Sequence, residues 1–142
     1  IQKMLEIICK LPKWNGHLYN WYNIKTLEPL RPAYISTVDS GNFIGYLITL
    51  KTFLLDIEDK EIKDKYLIDE NLEYINKLIN GTDFSKLYNK EISLFSIGFN
   101  IEENKLTDSY YDLLASEARQ ASLVAIAKKD IDEKNWYNLI CI

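Results

Sequence analysis

Ser36-Thr-Val-Asp-Ser-Gly-Asn-Phe-Ile-Gly-Tyr-Leu-Ile-Thr-Leu-Lys-Thr-Phe-Leu-Leu-Asp-Ile57 decides how this chain folds. Val38, Phe43, Ile44, Leu47, Leu50, Phe53 and Leu54 recur at helical spacing and form a wide apolar face, so the stretch is expected to be one long helix. Ser36 with Asp39 three residues on has the form of a capping box. Gly41 and Gly45 leave room for another group to approach the helix backbone.

Working outward, residues 2 to 10 read as the tail of an amphipathic helix stopped by Pro12, with Met4, Leu5, Ile8 and Cys9 on one face. His17 to Tyr22 reads as extended and aromatic, Asn23 to Thr26 as a turn into a second short strand, and Pro29 and Pro32 keep Glu28 to Tyr34 out of a helix. Beyond the long helix, Asp56 to Lys65 is a charged, mobile-looking stretch, and a helix from about Asp69 to Asn80 ends at Gly81. Leu87 to Leu106 reads as a second hairpin, alternating from Leu94 to Ile101 and turning at Glu102-Glu-Asn104. The last expected element is an alanine-rich helix from about Ser109 to Lys128. Its stripe of Leu114, Ala118, Ala121 and Ala125 is small enough for a second helix to pack closely against it.

The chain has 142 residues, enough for one domain, 1–142, with its own core. It is 47% hydrophobic and 27% charged, with no apolar run of the roughly 20 residues a bilayer requires. The N-terminal residues carry charges where a secretory signal would be apolar. A net charge of −4 and only two arginines, Arg31 and Arg119, argue against a nucleic-acid partner, whose phosphates need basic clusters. Cys9 and Cys141 are far apart in apolar settings, which favours two reduced thiols, as in a cytosolic protein, over a disulfide joining the chain ends. No His/Cys/carboxylate spacing suggests a metal site, and no Gly-rich phosphate loop or nucleophile–base pairing appears.

The candidate chemistry lies in acids and aromatics. Asp39 has two readings: a helix cap, or a carboxylate gripping sugar hydroxyls in a cleft. Asp112 and Glu117 fall on the expected last helix about 140° apart at ~100° per residue. Asp112 would cap that helix with Ser109. Glu117 would sit near the apolar stripe, where burial demands an ion pair, with Arg119 or a lysine, or a functional role. Among the rings, Trp14, Tyr19, Trp21, Tyr22, Tyr110 and Tyr111 can stack on sugar faces or serve as core, and the cluster Tyr19, Trp21, Tyr22 makes one sugar-facing ring expected. His17, the sole histidine, reads more readily as a structural residue than as a sugar ligand.

Four blocks in order resemble the glycoamylase-like, transglycosylating region of bacterial cyclic β-1,2-glucan synthases and related endo-β-1,2-glucanases. They are Gly16-His-Leu-Tyr-Asn-Trp-Tyr-Asn23 leading into Ser36 to Gly45, Leu94-Phe-Ser-Ile-Gly-Phe-Asn100, Tyr110-Tyr-Asp-Leu-Leu-Ala-Ser-Glu-Ala-Arg119, and Ala125-Ile-Ala-Lys128 with Asn135-Trp136. The resemblance runs from about Trp14 to Trp136.

It implies a mainly α fold, part of an (α/α)6 toroid-like helical array with short β-hairpins between helices, so that residues 1–142 are a piece of a larger domain. It implies glycosidic-bond cleavage or transfer on a β-1,2-glucan oligosaccharide by paired carboxyl groups, with no cofactor. Glu117 is then the preferred catalytic residue, with Asp112 and Asp39 as further candidates. Tyr19, Trp21, Tyr22, Asn42, Tyr110, Tyr111, Arg119 and His17 are the expected substrate contacts. A second catalytic acid is expected beyond Ile142, in a larger multidomain parent for which inner-membrane association stays open. Self-association through exposed helix faces is also expected. Two rival classes remain: a non-catalytic carbohydrate-binding module, and a plain helical interaction domain.

Overall fold

The computed structural model describes residues 1–58 and 65–139. Most of the charged stretch around 59–64, and Cys141 with its disulfide alternative, lie outside the described residues. About half of the described residues are helical, joined by three small antiparallel sheets.

The first helix, α1 (Gln2–Lys10), stops at Leu11 ahead of Pro12, as the sequence predicts. The long helix is α2 (Thr37–Glu58), and Ser36 caps it, its Oγ accepting from the Asp39 N–H at 3.2 Å. The next, α3 (Lys65–Gly81), begins four residues before its expected start and ends at the expected glycine. Helix α1 packs on α3, α3 on α2, and α2 on α4 (Arg119–Ala127); a short α5 (Lys134–Asn138) follows. Ile44, Leu47 and Leu54 of α2 join Leu5, Ile75, Phe84, Phe95, Ala121 and Ala125 in one core. Each large apolar side chain so buried contributes about 1.5–3 kcal/mol.

The strands hold the loops against this helical layer. β1 (Lys13–Trp14) and β2 (His17–Leu18) form a hairpin around Asn15-Gly16, both at positive φ (46° and 83°), the backbone that an Asn-Gly turn supplies. β3 (Tyr34–Ser36) enters α2. β4 (Tyr88–Asn89) pairs with β5 (Leu94–Ser96), while β6 (Gly98–Asn100) pairs with both β3 and β7 (Lys105–Leu106). β8 (Tyr110–Tyr111) completes the third sheet beside β5.

Three expectations change. The run from Leu94 to Asn100 is not one strand, because Ile97 breaks it and the chain passes from one sheet to another there. The Ile97 N–H donates to the Ser109 carbonyl, and its own carbonyl accepts from the Thr37 N–H. The second short strand after Asn23 shrinks to a single bridge, Tyr22 to Pro29, although the turn is present, with Asn23 Oδ1 accepting from the N–H groups of Lys25 and Thr26.

The largest correction concerns the last helix, which starts at Arg119 rather than Ser109. Tyr110 and Tyr111 pair in register with Ser96 and Phe95, so strand pairing of two aromatics overrides the helical propensity of the residues after them. Turns at Leu113–Ser116 and Ser116–Arg119 then reset the chain direction. Asp112 therefore caps no helix, and Glu117 does not sit mid-helix.

Candidate active site

Asp39 stands in the first turn of α2. The Thr37 Oγ1 donates to the Ser96 carbonyl at 2.6 Å, pinning the start of α2 to the end of β5, next to Tyr110 and Tyr111. Tyr111 is half-buried. Burial raises its phenol pKa, and the nearby charges of Tyr34, Glu117 and Asp39 push it the same way. The phenol thus keeps its proton at neutral pH and is able to donate.

This group joins residues from β3, α2, β8 and the turn before α4. Tyr34 is held by a 2.9 Å bond between its hydroxyl and Thr107 Oγ1. Glu117 is exposed, so the cost of burying it, which singled it out in the sequence, does not arise; it forms no ion pair among the described residues. Asp112 is exposed after β8 and is not among the charges that act on Tyr111. Arg119 is exposed at the first residue of α4, and Asn42 is half-buried on α2. Tyr110 accepts from the Asn89 Nδ2 at 3.1 Å.

The aromatic cluster separates by role. Tyr22 donates its hydroxyl to the Pro12 carbonyl at 2.7 Å and accepts from the Tyr19 N–H, tying its loop to the end of α1. Trp14 stacks on Phe99 with ring centres 4.1 Å apart. Trp21 is 69% exposed. Tyr19 stands edge-on to Tyr22 and also lines a cavity of 190 Å³ at the start of α2, together with His17, Asp39 and Ser40. His17 is 1% exposed; its Nε2–H donates to the Asp83 carbonyl at 2.9 Å, and burial lowers its pKa, so the ring is neutral.

Tyr34 and Thr107 escape a sequence reading because they carry no motif of their own, and Ser40, inside the Ser36 to Gly45 block, is not singled out there. Tyr34 had one available signal: it sits two residues before Ser36 and so shares a strand face with it. The two glycines of the long helix are explained by α4. A Cβ on Gly41 or Gly45 would meet Ala121 or Gln120, so the approaching group is a neighbouring helix. Among the described residues, no three His, Cys, Asp or Glu side chains gather as metal ligands. Among them, too, no helix is long and apolar enough to cross a membrane.

No family model matches the chain. Over 98% of its length it is 24% identical to the cyclic beta-(1,2)-glucan synthase NdvB of Rhizobium meliloti (strain 1021), in a span of 257 residues. That span exceeds the 142 residues of this chain, so the relative holds intervening residues where this chain runs on directly. The chain spans about 9% of the length of that relative.

Proposed function

We propose, for a chain that is related over nearly its whole length to the cyclic β-(1,2)-glucan synthases, that it is part of a domain cleaving or transferring glycosidic bonds of β-1,2-glucan. The observation that carries this reading is the 24% identity, over 98% of the chain, to the cyclic beta-(1,2)-glucan synthase NdvB, with Asp39 and Glu117 both raising the Tyr111 pKa as further support. Glycoside cleavage requires one carboxyl group to protonate the departing oxygen and another to activate water or attack the sugar carbon. Glu117 and Asp39 supply the two carboxyl groups, with Asp39, fixed by the first turn of α2, taking the place of the second acid expected beyond Ile142. Tyr111 donates a hydrogen bond between them, to substrate or to whichever carboxylate carries the negative charge. Exposed Trp21 and half-buried Tyr110 supply faces for neighbouring sugars.

The wider architecture fits a piece of a larger (α/α)6 array. Helix α2 is apolar on nearly every side, which is the composition of a helix surrounded by others. Tyr46 and Phe53, 75% and 56% exposed, leave that surround incomplete. The parent is then a larger multidomain protein, and the chain on its own is expected to self-associate through this face.

The test is incubation of the chain, and of Glu117→Gln, with linear β-1,2-glucan, following new reducing ends and changes in glucan length. Release or transfer by the parent chain alone supports the reading. Glucan binding without turnover in either protein would replace it with a non-catalytic sugar-binding module.

A further inference from the structure

The turn between β4 and β5 and the loop from α4 to α5 enclose a cavity of 510 Å³ that shares no residue with the group around Tyr111. Tyr88, Lys90 and Ser93 line one side, and Lys129, Asp132 and Lys134 the other. The two sides are fastened together from α5: Asn135 Nδ2 donates to the Ser93 carbonyl at 3.1 Å, and Asn138 Nδ2 to the Ile92 carbonyl at 3.2 Å. Asp130 accepts from the Phe84 N–H at 3.1 Å and pairs with the Lys128 ammonium at 3.3 Å, which itself donates to the Thr82 carbonyl at 2.9 Å. The walls are therefore held by bonds that the three lining lysines do not make.

The charges around the cavity do not balance. Lys90, Lys129 and Lys134 form no ion pair among the described residues. Of the two carboxylates in the wall, Asp130 is already neutralised by Lys128, and Asp132 accepts from the Lys134 N–H at 2.8 Å. Glu91 and Glu133, adjacent in sequence, are exposed and outside the lining. Three ammonium groups thus line one cavity against one carboxylate that no cation neutralises, in a chain whose net charge is −4. An anion bound among them would replace mutual repulsion by attraction.

The backbone points the same way. Lys129 and Ser93, on opposite walls, have φ of 63° and 57°, in the left-handed region that favours glycine. Lys129 ends α4 in a Schellman turn, with the Asp130 N–H donating to the Ala125 carbonyl and the Lys129 N–H to the Ile126 carbonyl, both at 2.9 Å. Glycine is the ordinary residue at that position, so a lysine there is kept at a cost in stability. Unfavourable backbone retained on both walls of one cavity fits side chains placed for a ligand.

We propose that this cavity binds the phosphoryl group of a small anion, inorganic phosphate or a phosphate ester, between the ammonium groups of Lys90, Lys129 and Lys134. Lysine meets a phosphoryl group as a compact charge with three donors, and the Ser93 hydroxyl adds another. The volume lies within the roughly 300–1,000 Å³ of small-ligand sites, which leaves space for a ring attached to the phosphate beside Tyr88 and Ile131. Such a site is independent of glucan cleavage.

Backbone amide NMR of the whole chain is recorded during titration with sodium phosphate, glucose 6-phosphate, glucose, and sodium chloride at matched ionic strength. The expected result is a saturable shift at Ser93, Lys129 and Lys134 with both phosphates and none with glucose or chloride. Tighter binding of glucose 6-phosphate would identify a phosphate ester as the ligand, and equal binding the phosphoryl group alone; the site stands in both cases. Lys129→Gly removes one cation and relieves the left-handed strain together, so phosphate affinity should fall roughly tenfold while the thermal midpoint does not fall. Lys134→Gln should weaken binding by a similar factor with its midpoint unchanged. A shift that chloride reproduces overturns the site, as does the lack of a saturable response to either phosphate. Undiminished affinity in Lys129→Gly would overturn it as well.

Discussion

Gly41 of α2 lies directly against Ala121 of α4: a Cβ added at Gly41 would stand 2.5 Å from the Ala121 Cβ and 2.6 Å from its backbone N and Cα. Such contacts are far inside van der Waals distance, and backbone atoms cannot rotate away as a side chain can. Gly41→Ala must therefore push the two helices apart, and overpacking of this kind costs about 1–3 kcal/mol even after the gain in helix propensity from alanine. At Gly45 the obstacle is only the end of the Gln120 side chain, at 2.0 Å from the added Cβ, and Gln120 is exposed and free to turn. Thermal unfolding of the two variants should show a clear loss for Gly41→Ala and a change within about 0.5 kcal/mol for Gly45→Ala. Equal losses would mean that α2 and α4 do not cross at Gly41.

Ser96 ties the two larger sheets together at the point where the chain passes between them. It is fully buried, and its Oγ lies 2.8 Å from the Thr107 carbonyl oxygen and 2.9 Å from that of Gly98, while accepting from the Gly98 N–H at 3.3 Å. Ser96→Ala leaves a buried N–H and a carbonyl without their partner, which costs about 1–3 kcal/mol. The denaturant midpoint should fall by that amount with an unchanged slope. A fully native midpoint would show that water replaces the hydroxyl.

The helices were legible in the sequence because their signals are local. Ser36 and Gly81 mark ends that the structure keeps, and Ala121 of the expected alanine stripe does receive a close helix, although Leu114 and Ala118 of that stripe precede the observed helix. What failed was non-local. Tyr110-Tyr111 read as helix because the residues after them favour it, and only pairing with Ser96 and Phe95 decides otherwise. The same pairing moved Asp112 and Glu117 off a helix and voided the argument from their angular separation. The break at Ile97 depends on hydrogen bonds from Thr37 and to Ser109, both distant in sequence. The tight turn at Asn15-Gly16 was the one missed feature with a plain local signature.

His17 makes folding pH-dependent in a definite direction. Burial holds its folded pKa below the ordinary 6.5, so between the two values the unfolded chain binds more protons than the folded one. The contribution is fully present above about pH 6.5 and is lost as pH falls toward the depressed folded value. The slope is up to about 1.4 kcal/mol per pH unit. Denaturant unfolding at intervals from pH 7.5 to 5.5 should show this decline, and His17→Gln should flatten it. A decline equally steep in His17→Gln would assign it to other groups.

Turnover should divide the three candidate acids. Asp39 and Glu117 act on Tyr111, whereas Asp112 does not, so substitution by the matching amide is expected to separate them. Glu117→Gln and Asp39→Asn should each lower the rate of new reducing ends from β-1,2-glucan by roughly 10²–10⁴, the usual contribution of a positioned acid or base. Asp112→Asn should stay within a few fold of the parent rate. Glu117 is exposed and makes no ion pair among the described residues, so its amide should unfold within about 0.5 kcal/mol of the parent chain. Asp39→Asn loses a favourable charge in the first turn of α2, about 0.3–1 kcal/mol, too little to unfold the site. Loss of turnover in Asp112→Asn with retention in Glu117→Gln would move the chemistry away from Tyr111 and toward the end of β8.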